Sequence, residues 1–265
     1  MTPPIALAVL GDPLAYTQSP VLHRAGLASL GVAGESAALR TPIASLGERL
    51  AELRARGLLG VNLTAPLKEA ALDHLDRISE ASRLARSVNT VGFAADGAWG
   101  DTTDGPGFID LLESLGREAG RERVLLLGAG GAARSLALAM VSAGASRVTA
   151  WARDPRAASA GWSGIDGAEV VAWGERGSRE GVSVVVNATP LESPAPQAAL
   201  PAGSLRIDLR YGAEITPWVR EARALGFEAY DGLGLLVYQA RRSLALWLAR
   251  AVEVDPLARA VGWPR

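Results

Sequence analysis

The part of this sequence that most constrains its fold is a stretch of about 30 residues that joins two apolar segments through a glycine-rich turn. The segment RVLLL precedes Gly128-Ala129-Gly130-Gly131-Ala132-Ala133, an apolar helical pattern follows, and the run RVTAW comes after Gly144. Strand, glycine turn, helix and strand in this order are typical of a βαβ unit, whose two strands are parallel. The chain is therefore predicted to contain a parallel sheet with helices packed on its faces.

The turn itself predicts a nucleotide cofactor. It matches the pattern G-x-G-x-x-A directly after a strand and at the start of a helix. The glycines permit a tight turn and a close backbone approach, and a helix N-terminus attracts a negatively charged pyrophosphate. We expect the cofactor to lie against Gly128, Ala129, Gly130, Gly131 and Ala132. A tight turn that binds no ligand is the alternative.

The end of the second strand indicates which dinucleotide binds. An acidic residue there usually bonds the ribose hydroxyls of NAD, whereas arginine suits the 2′-phosphate of NADP. This chain continues as Ala152-Arg153-Asp154-Pro155-Arg156. Ala152, Arg153 and Arg156 therefore predict an NADP site. Two alternatives stay open: Asp154 could serve a ribose hydroxyl, and the arginines could be surface residues without a cofactor role.

The rest of the chain predicts an α/β protein of two domains. Short apolar runs alternate with helical patterns over the first hundred residues, with two strands around the turn Asp96-Gly97. A helix from about residue 104 then leads into the βαβ unit, and further strands follow near 170–173, 182–188, 205–211 and 227–232. The pattern places a domain boundary near residues 100–106 and a last amphipathic helix over roughly 234–252.

Composition excludes several classes of function. The net charge of −1 gives no general affinity for nucleic acid or anionic lipid, and no apolar run approaches a membrane span. The absence of cysteine removes disulfides and thiolate metal sites, and two histidines leave little for a histidine metal cluster, so no metal is expected. The N-terminus resembles a first strand more than a signal peptide. We expect a cytoplasmic protein.

Scarce residues indicate where chemistry takes place. Lys68 is the only lysine among 27 basic residues. Arginine is effectively always charged, whereas lysine can transfer a proton, so a single retained lysine suggests a site that arginine cannot fill. A leftover surface lysine is the alternative. The three asparagines, Asn62, Asn89 and Asn187, lie in the polar phrases GVNLTAPLKEAA, SVNTVGF and VVVNATP, where each could also be a turn residue.

With these phrases in view, the chain resembles the shikimate dehydrogenase family from end to end. The phrases that carry the resemblance are GDPLAYTQSPVLH, GVNLTAPLKEAA, SVNT, TTDGPGF, GAGGAARS, NATP, DLRY and GLGLLVYQA, in the order found in the family. The resemblance implies two domains: a substrate-binding domain over 1–103, with a C-terminal helix over 237–265 packed back on it, and a Rossmann-type NADP-binding domain over 104–236. It also implies an NADP-linked, reversible reduction of 3-dehydroshikimate to shikimate, a step in aromatic amino-acid biosynthesis by way of chorismate. It leaves open whether the protein is a monomer or a homodimer.

The resemblance also implies roles for individual residues. Lys68 and Asp104 match the catalytic pair, with a helix N-cap as the alternative for Asp104. Thr17 and Ser19 match a hydroxyl pair that binds the substrate carboxylate, with capping of the following helix as the alternative. The remaining matches are Thr64, Asn89 and Gln239 at the ring hydroxyls, Tyr211 on the substrate side, and Leu209 and Gly232 along the nicotinamide. Asn187 is expected to hold the loop after its strand.

The sequence departs from the family pattern at several positions. The usual His-Ser-x-Ser is Tyr16-Thr17-Gln18-Ser19, and Asn-Thr-Asp is Thr102-Thr103-Asp104. A Gly-Met pair after NATP is missing, and Leu235 replaces a frequent methionine. The extra methyl group of Thr17 leaves open a quinate/shikimate dehydrogenase or a relative that acts on another cyclic hydroxy acid. A non-catalytic NADP-binding regulatory protein is a further alternative.

Overall fold

The computed structural model describes residues 5–265. Within this range, apolar runs bounded by glycine, proline and polar residues form strands, and amphipathic runs form helices. The strands are β1 Ile5–Gly11, β2 Gly34–Arg40, β3 Gly60–Leu63, β4 Arg77–Ile78, β5 Thr90–Ala94, β6 Gly97–Asp101, β7 Arg123–Leu127, β8 Arg147–Ala152, β9 Ala168–Ala172, β10 Val184–Asn187, β11 Leu205–Asp208 and β12 Ala229–Tyr230. The helices are α1 Ser19–Ser29, α2 Leu46–Ala55, α3 Leu67–Ala70, α4 Glu80–Ala85, α5 Asp104–Ser114, α6 Gly131–Ser142, α7 Pro155–Ser159, α8 Pro217–Ala224, α9 Leu233–Leu248 and α10 Val254–Val261.

The first sheet contains the strands of residues 5–101. Its order is β2-β1-β3-β5-β6-β4, with β1 parallel to both β2 and β3 and β5 antiparallel to β3. β5 and β6 form the predicted hairpin around Asp96 and Gly97, where the positive φ of Gly97 (137°) suits glycine. The parallel half brings the ends of β1 and β3 together, and the chain segments that follow them carry Thr17 and Thr64.

The second sheet is fully parallel, as the glycine-rich βαβ unit predicts. Its order is β12-β11-β10-β7-β8-β9, so the chain winds outward from β7 in both directions. This is the doubly wound order in which ligands bind beyond the carboxyl ends of the strands, at the point where the winding direction reverses. That point lies between β7 and β10. Gly128 follows the first of these strands, and Asn187 ends the second.

Helices connect the two sheets. α5 packs against both α6 and α9, and α1 packs against α9 and α10. The single helix predicted over 237–265 is wrong: α9 ends at Leu248, Ala249 adopts a left-handed conformation, and α10 begins only at Val254. Pro256 fits the first turn of α10, where its missing N–H has no intrahelical partner to lose. α9 runs across the expected boundary at 236/237, and the domain boundaries stay a prediction.

One predicted helix is shorter than its pattern. The segment PLKEAALDHLDR forms α3 over only four residues and continues as a tighter helical turn at Ala71–His74. Pro66 precedes the helix as its N-cap. Short helices are marginal on their own and depend on packing, which here comes from buried Leu67 and Ala71. The turn is therefore held by tertiary contacts on both sides of Lys68.

Candidate active site

A cleft of about 810 Å³ collects most of the residues predicted for the site. Its walls come from loops and helices attached to both sheets. All eight predicted substrate residues line it: Thr17, Ser19, Thr64, Lys68, Asn89, Asp104, Tyr211 and Gln239. Of the predicted cofactor residues, Gly130, Gly131, Ala132, Leu209 and Gly232 line it, whereas Gly128, Ala129, Ala152, Arg153 and Arg156 do not.

Lys68 and Asp104 form an ion pair in this cleft. Lys68 Nζ lies 2.5 Å from Asp104 Oδ2, and the two side chains are 18% and 6% exposed. The lysine comes from α3, beside the first sheet, and the aspartate is the first residue of α5. The N-cap of α5 is Thr103 and it has no side-chain capping bond, so the alternative role of Asp104 as the cap of this helix is not found. The Asp104 side chain is directed at Lys68 and Asn89 instead.

Asn89 holds the other oxygen of Asp104. Its amide nitrogen donates to Asp104 Oδ1 at 2.8 Å and to Gln239 Oε1 at 3.1 Å. Its amide oxygen accepts from the backbone N–H of Thr103 at 2.7 Å, which fixes the orientation of the amide. The carboxylate of Asp104 is therefore bonded on both oxygens by side chains of the protein itself.

The end of the cleft near α1 carries neutral hydroxyls. Thr17 Oγ1 lies 3.2 Å from Ser19 Oγ and accepts from the Ser19 backbone N–H, while Tyr211 donates to Thr17 Oγ1 at 3.5 Å. The N-cap of α1 is Gln18, without a side-chain capping bond, so neither Thr17 nor Ser19 is a conventional N-cap. Burial raises the pKa of Tyr211 above its ordinary value, and the bond to Thr17 offsets this in part. Tyr211 thus stays a neutral hydroxyl donor.

The glycine-rich loop follows β7 as predicted. Gly128 has φ +108°, a conformation that disfavours any side chain, and an added Cβ would lie 3.0 Å from Thr189. Around Gly130 an added Cβ would meet nothing within 4 Å, so the backbone there is open to a ligand. α6 begins at this turn, and the backbone N–H groups of its first residues have no partners within the helix. Trp162 holds the loop from behind by donating to Ala129 O at 3.0 Å.

The arginines at the end of β8 are exposed. Arg153 and Arg156 extend into solvent, and neither forms an ion pair within residues 5–265. Asp154 lies between them but is engaged: its carboxylate accepts from the backbone N–H of Ala157 at 3.0 Å and caps α7. The geometry therefore offers two cations to an incoming phosphate and a carboxylate that is already bonded.

Two further cofactor positions approach each other from neighbouring strands. A Cβ on Gly232 would lie 2.2 Å from the carbonyl oxygen of Leu209, so only glycine fits there. The Leu209 backbone N–H donates to Asn187 O at 2.9 Å. Asn187 accepts from Thr189 N–H and donates to Leu191 O, which holds the loop after β10 as expected. This side of the cleft is a backbone surface suited to a flat ring.

Sequence reasoning missed one link between the two sides of the cleft. Arg134 on α6 is buried and donates to Glu69 Oε2 at 2.8 Å, to Ala85 O at 2.7 Å and to Arg86 O at 2.9 Å. Partial burial raises the pKa of Glu69, but the bonds from Arg134 and Arg86 outweigh it and lower the pKa overall. Because Glu69 follows Lys68 and Arg134 follows the glycine loop, this contact ties the two together.

Comparison with known proteins identifies the family. Residues 9–91 match the model for the shikimate dehydrogenase substrate binding domain. A shikimate dehydrogenase (NADP(+)) from Thermus thermophilus is 39% identical over 249 residues, which cover 92% of each chain. The chain belongs to the shikimate dehydrogenase family. A solved structure of the Thermus thermophilus enzyme in complex with NADP(H) and shikimate matches with a TM-score of 0.87 at 37% identity, covering 97% of this chain and 98% of that one.

A solved structure named for a different activity matches the same fold. The ligand-free 5-ketofructose reductase of a Gluconobacter strain matches with a TM-score of 0.83 at 27% identity over 99% of both chains. The α/β fold with a Rossmann-type parallel sheet and an N-terminal substrate-binding domain is thus confirmed for this shikimate dehydrogenase family member. Within residues 5–265, no helix could span a membrane, and no group of three or more His, Asp or Glu could hold a metal ion.

Proposed function

We propose that this protein catalyses the reversible, NADP-linked reduction of 3-dehydroshikimate to shikimate. The observation that carries the proposal is the Lys68–Asp104 pair, with Nζ and Oδ2 2.5 Å apart, in the same cleft as the hydroxyl pair and the glycine-rich loop. The names of the family members at 35–39% identity support the same activity.

The chemistry requires a proton at the oxygen that becomes a hydroxyl. The nicotinamide, when bound, supplies the hydride to the carbonyl carbon. Lys68 then gives its Nζ proton to the carbonyl oxygen as the alcohol forms, and it takes the proton back in the reverse direction. Asp104 holds Lys68 at that position, and Asn89 holds Asp104. The lysine needs no metal partner for this step, because the ammonium itself is the proton donor.

The substrate is oriented by its two ends. We infer that its carboxylate lies at Thr17 and Ser19, where two hydroxyls converge with the N-terminus of α1. Its ring hydroxyls lie toward Thr64, Asn89 and Gln239, which line the cleft between that end and Asp104. Tyr211 closes the carboxylate end through its bond to Thr17. This orientation brings the reacting carbon between Lys68 and the surface formed by Leu209 and Gly232.

The residues present fit NADP. The open backbone at Gly130 and the start of α6 suit the pyrophosphate, and exposed Arg153 and Arg156 suit the 2′-phosphate. Gly128, Ala129, Gly131, Ala132 and Ala152 complete the predicted cofactor contacts. The carboxylate of Asp154, engaged as a helix cap, is a weaker partner for a ribose hydroxyl than its position in the sequence suggests.

The first test is the initial rate of cofactor reduction by purified protein in four mixtures: shikimate or quinate, each with NADP or NAD. Turnover that requires shikimate and NADP supports the proposal. A higher kcat/KM with quinate moves the protein to the alternative raised by the extra methyl group of Thr17. Tight NADP binding without turnover in any mixture refutes the proposed enzyme activity. It supports the alternative of a non-catalytic NADP-binding regulatory protein.

We also infer a cytoplasmic protein that functions as a monomer or a homodimer and binds neither nucleic acid nor membrane. The support is the near-zero net charge of the chain and the small-molecule character of the cleft. Cell fractionation and size-exclusion chromatography with light scattering test these points, and a membrane-associated fraction or a larger assembly would contradict them.

A further inference from the structure

A buried polar network lies behind the catalytic pair and extends to His23 on α1. His23 is completely buried, and its two ring nitrogens lie 2.8 Å from Ser36 Oγ and 2.8 Å from Asn62 Oδ1. Its ring packs edge-on against Trp247, with centroids 5.4 Å apart. Asn62 also lines the cleft, but the proposed mechanism gives no role to His23, Ser36, Asn62 or Trp247.

The orientation of the Asn62 amide follows from its partners. Its nitrogen lies 2.8 Å from the backbone carbonyl oxygen of Asn89, which can only accept. The nitrogen also lies 3.0 Å from Ser243 Oγ and 3.1 Å from Thr90 Oγ1. The amide oxygen must therefore face His23, and His23 Nε2 must carry a proton to donate to it. Ser36 then donates to the unprotonated Nδ1 of the neutral ring.

This network joins both ends of the cleft. Ser19 is the first residue of α1, and His23 lies four residues later on the same face of the helix. Asn62 supports the backbone of Asn89, whose side chain bonds Asp104 Oδ1. A rigid line of contacts thus runs from the hydroxyl pair, along one turn of α1, to the carboxylate of the catalytic pair.

We propose that His23 is a positioning residue, which fixes, through Asn62, the separation between the Thr17–Ser19 end of the cleft and Asp104. The proposal rests on the proposed function, because that separation has to match the span from the substrate carboxylate to its reacting carbon. A misplacement of about 1 Å can cost a catalytic site about 100-fold in rate. Loss of the His23 donor would leave the buried Asn62 oxygen without its partner, so that the amide would be held on its nitrogen side alone.

Two substitutions at this position separate the Nε2 bond from the rest of the side chain. In His23→Asn the amide lies near the former Nδ1 and keeps a partner in Ser36, but it does not reach Asn62. In His23→Gln the amide nitrogen reaches the former Nε2 and can still donate to Asn62. Ser36→Ala is the matched control, since it removes a bond of the same length on the other side of the ring.

We expect His23→Asn to raise the KM for shikimate about tenfold and to lower kcat several-fold, while the KM for NADP changes less than about twofold. His23→Gln and Ser36→Ala should stay within about threefold of the wild type. The thermal midpoint is measured for each variant. Wild-type kinetics in folded His23→Asn overturn the proposal. If all three variants lose the same fraction of kcat/KM for shikimate, the role is purely structural and the proposal is overturned. The same holds if His23→Asn raises the KM for NADP as much as the KM for shikimate.

A measurement on the wild type covers the case in which His23→Asn does not fold. The chain has only two histidines, so ¹⁵N-histidine spectra with a His74→Gln variant assign both rings. The proposal requires His23 as the Nε2–H tautomer, and an Nδ1–H tautomer overturns it. If the wild type does not oxidise shikimate, the proposed function fails, while the tautomer still tests the geometry of the network.

Discussion

At the catalytic end of the cleft, Lys68 and Asp104 lie in a closed set of bonds, whereas at the cofactor end Arg153 and Arg156 extend into solvent. Asp104 is bonded on both oxygens, and its partner Asn89 is itself held by the Thr103 backbone. The two arginines have no ion-pair partner within residues 5–265. One end is organised in advance, and the other is organised by the ligand that it receives.

The difference has a physical reason. A proton donor has to stand within hydrogen-bond distance of one atom at one moment, so its position must be fixed by buried contacts. A guanidinium on a long, exposed side chain can form its paired hydrogen bonds to a phosphate as the ligand arrives, and its attraction depends chiefly on its charge. The catalytic end should therefore be sensitive to small changes in shape, whereas the cofactor end should respond to loss of charge.

The largest effect is expected at Lys68. Lys68→Arg keeps a positive charge beside Asp104 but removes the group that can release its proton, so kcat should fall about 10³-fold. Lys68→Met should lose as much activity and also some stability, because it leaves a buried carboxylate without its cation. Steady-state rates and urea unfolding measure the two effects. An arginine variant with near-wild-type kcat would show that charge alone is needed.

Asp104→Ala is the companion to this prediction. It removes the carboxylate while Lys68 stays, and we expect turnover to fall to a similar extent with the fold retained. Circular dichroism and NADP binding serve as controls for the fold and for the cofactor end. If Asp104→Ala keeps near-wild-type rates, the buried pair is structural and does not organise the catalytic end of the cleft.

The next largest effect concerns stability at the catalytic end and its dependence on pH. The pKa of His23 is lowered to about 4, chiefly because the ring is buried; the bond to Asn62 offsets part of this shift, and nearby Arg24 adds to it. Unfolded histidine binds a proton near pH 6.5, so between these values the unfolded state holds more protons than the folded state. The neutral, buried His23 therefore makes its full contribution to the free energy of unfolding above about pH 6.5. This contribution, about 3 kcal/mol in total, is lost as the pH falls toward about 4.

The test compares wild type with His23→Gln, which does not titrate. When the pH falls from near 7 to about 4.5, the wild type should lose about 2–3 kcal/mol of unfolding free energy relative to His23→Gln. His74→Gln, at an exposed histidine, is the control variant measured over the same range. A constant difference across the range would mean that His23 titrates normally in the folded protein.

At the cofactor end we expect a moderate effect that depends on charge. Arg153→Ala and Arg156→Ala should each raise the KM for NADP about tenfold, and leave the much weaker use of NAD nearly unchanged, because NAD lacks the 2′-phosphate. Added salt should weaken NADP binding more in the wild type than in the variants. Arg250→Ala, at an exposed arginine after α9, is the control. Equal losses with NADP and NAD would show that the arginines do not contact the 2′-phosphate.

The two ends also differ in how much of them the sequence predicts. The single lysine and the glycine-rich turn stand out in the sequence, because rare or conformationally special residues differ from the rest of the chain, whereas Asp104 was expected at the site through the family resemblance. The His23–Asn62 bond joins residues 39 positions apart, and it depends on which face of α1 is buried. Arg134 resembles any other helical arginine until the fold brings it to Glu69. Both contacts depend on tertiary packing, so no local pattern in the sequence predicts them.

The smallest expected effect concerns Asp154, for which the sequence does contain a local signal. An aspartate directly before a proline at the first position of a helix is typical of an N-cap, and Asp154 accepts from the Ala157 N–H. Asp154→Asn keeps the cap, because an amide oxygen can also accept, so the ratio of kcat/KM for NADP and NAD should change less than about threefold. Asp154→Ala should lose about 1 kcal/mol of stability or less through the short helix α7. If Asp154→Asn instead shifts the ratio toward NADP by tenfold or more, the carboxylate leaves its cap to bond the ribose hydroxyls. The choice between NADP and NAD would then depend on the Asp154 carboxylate as well as on Arg153 and Arg156.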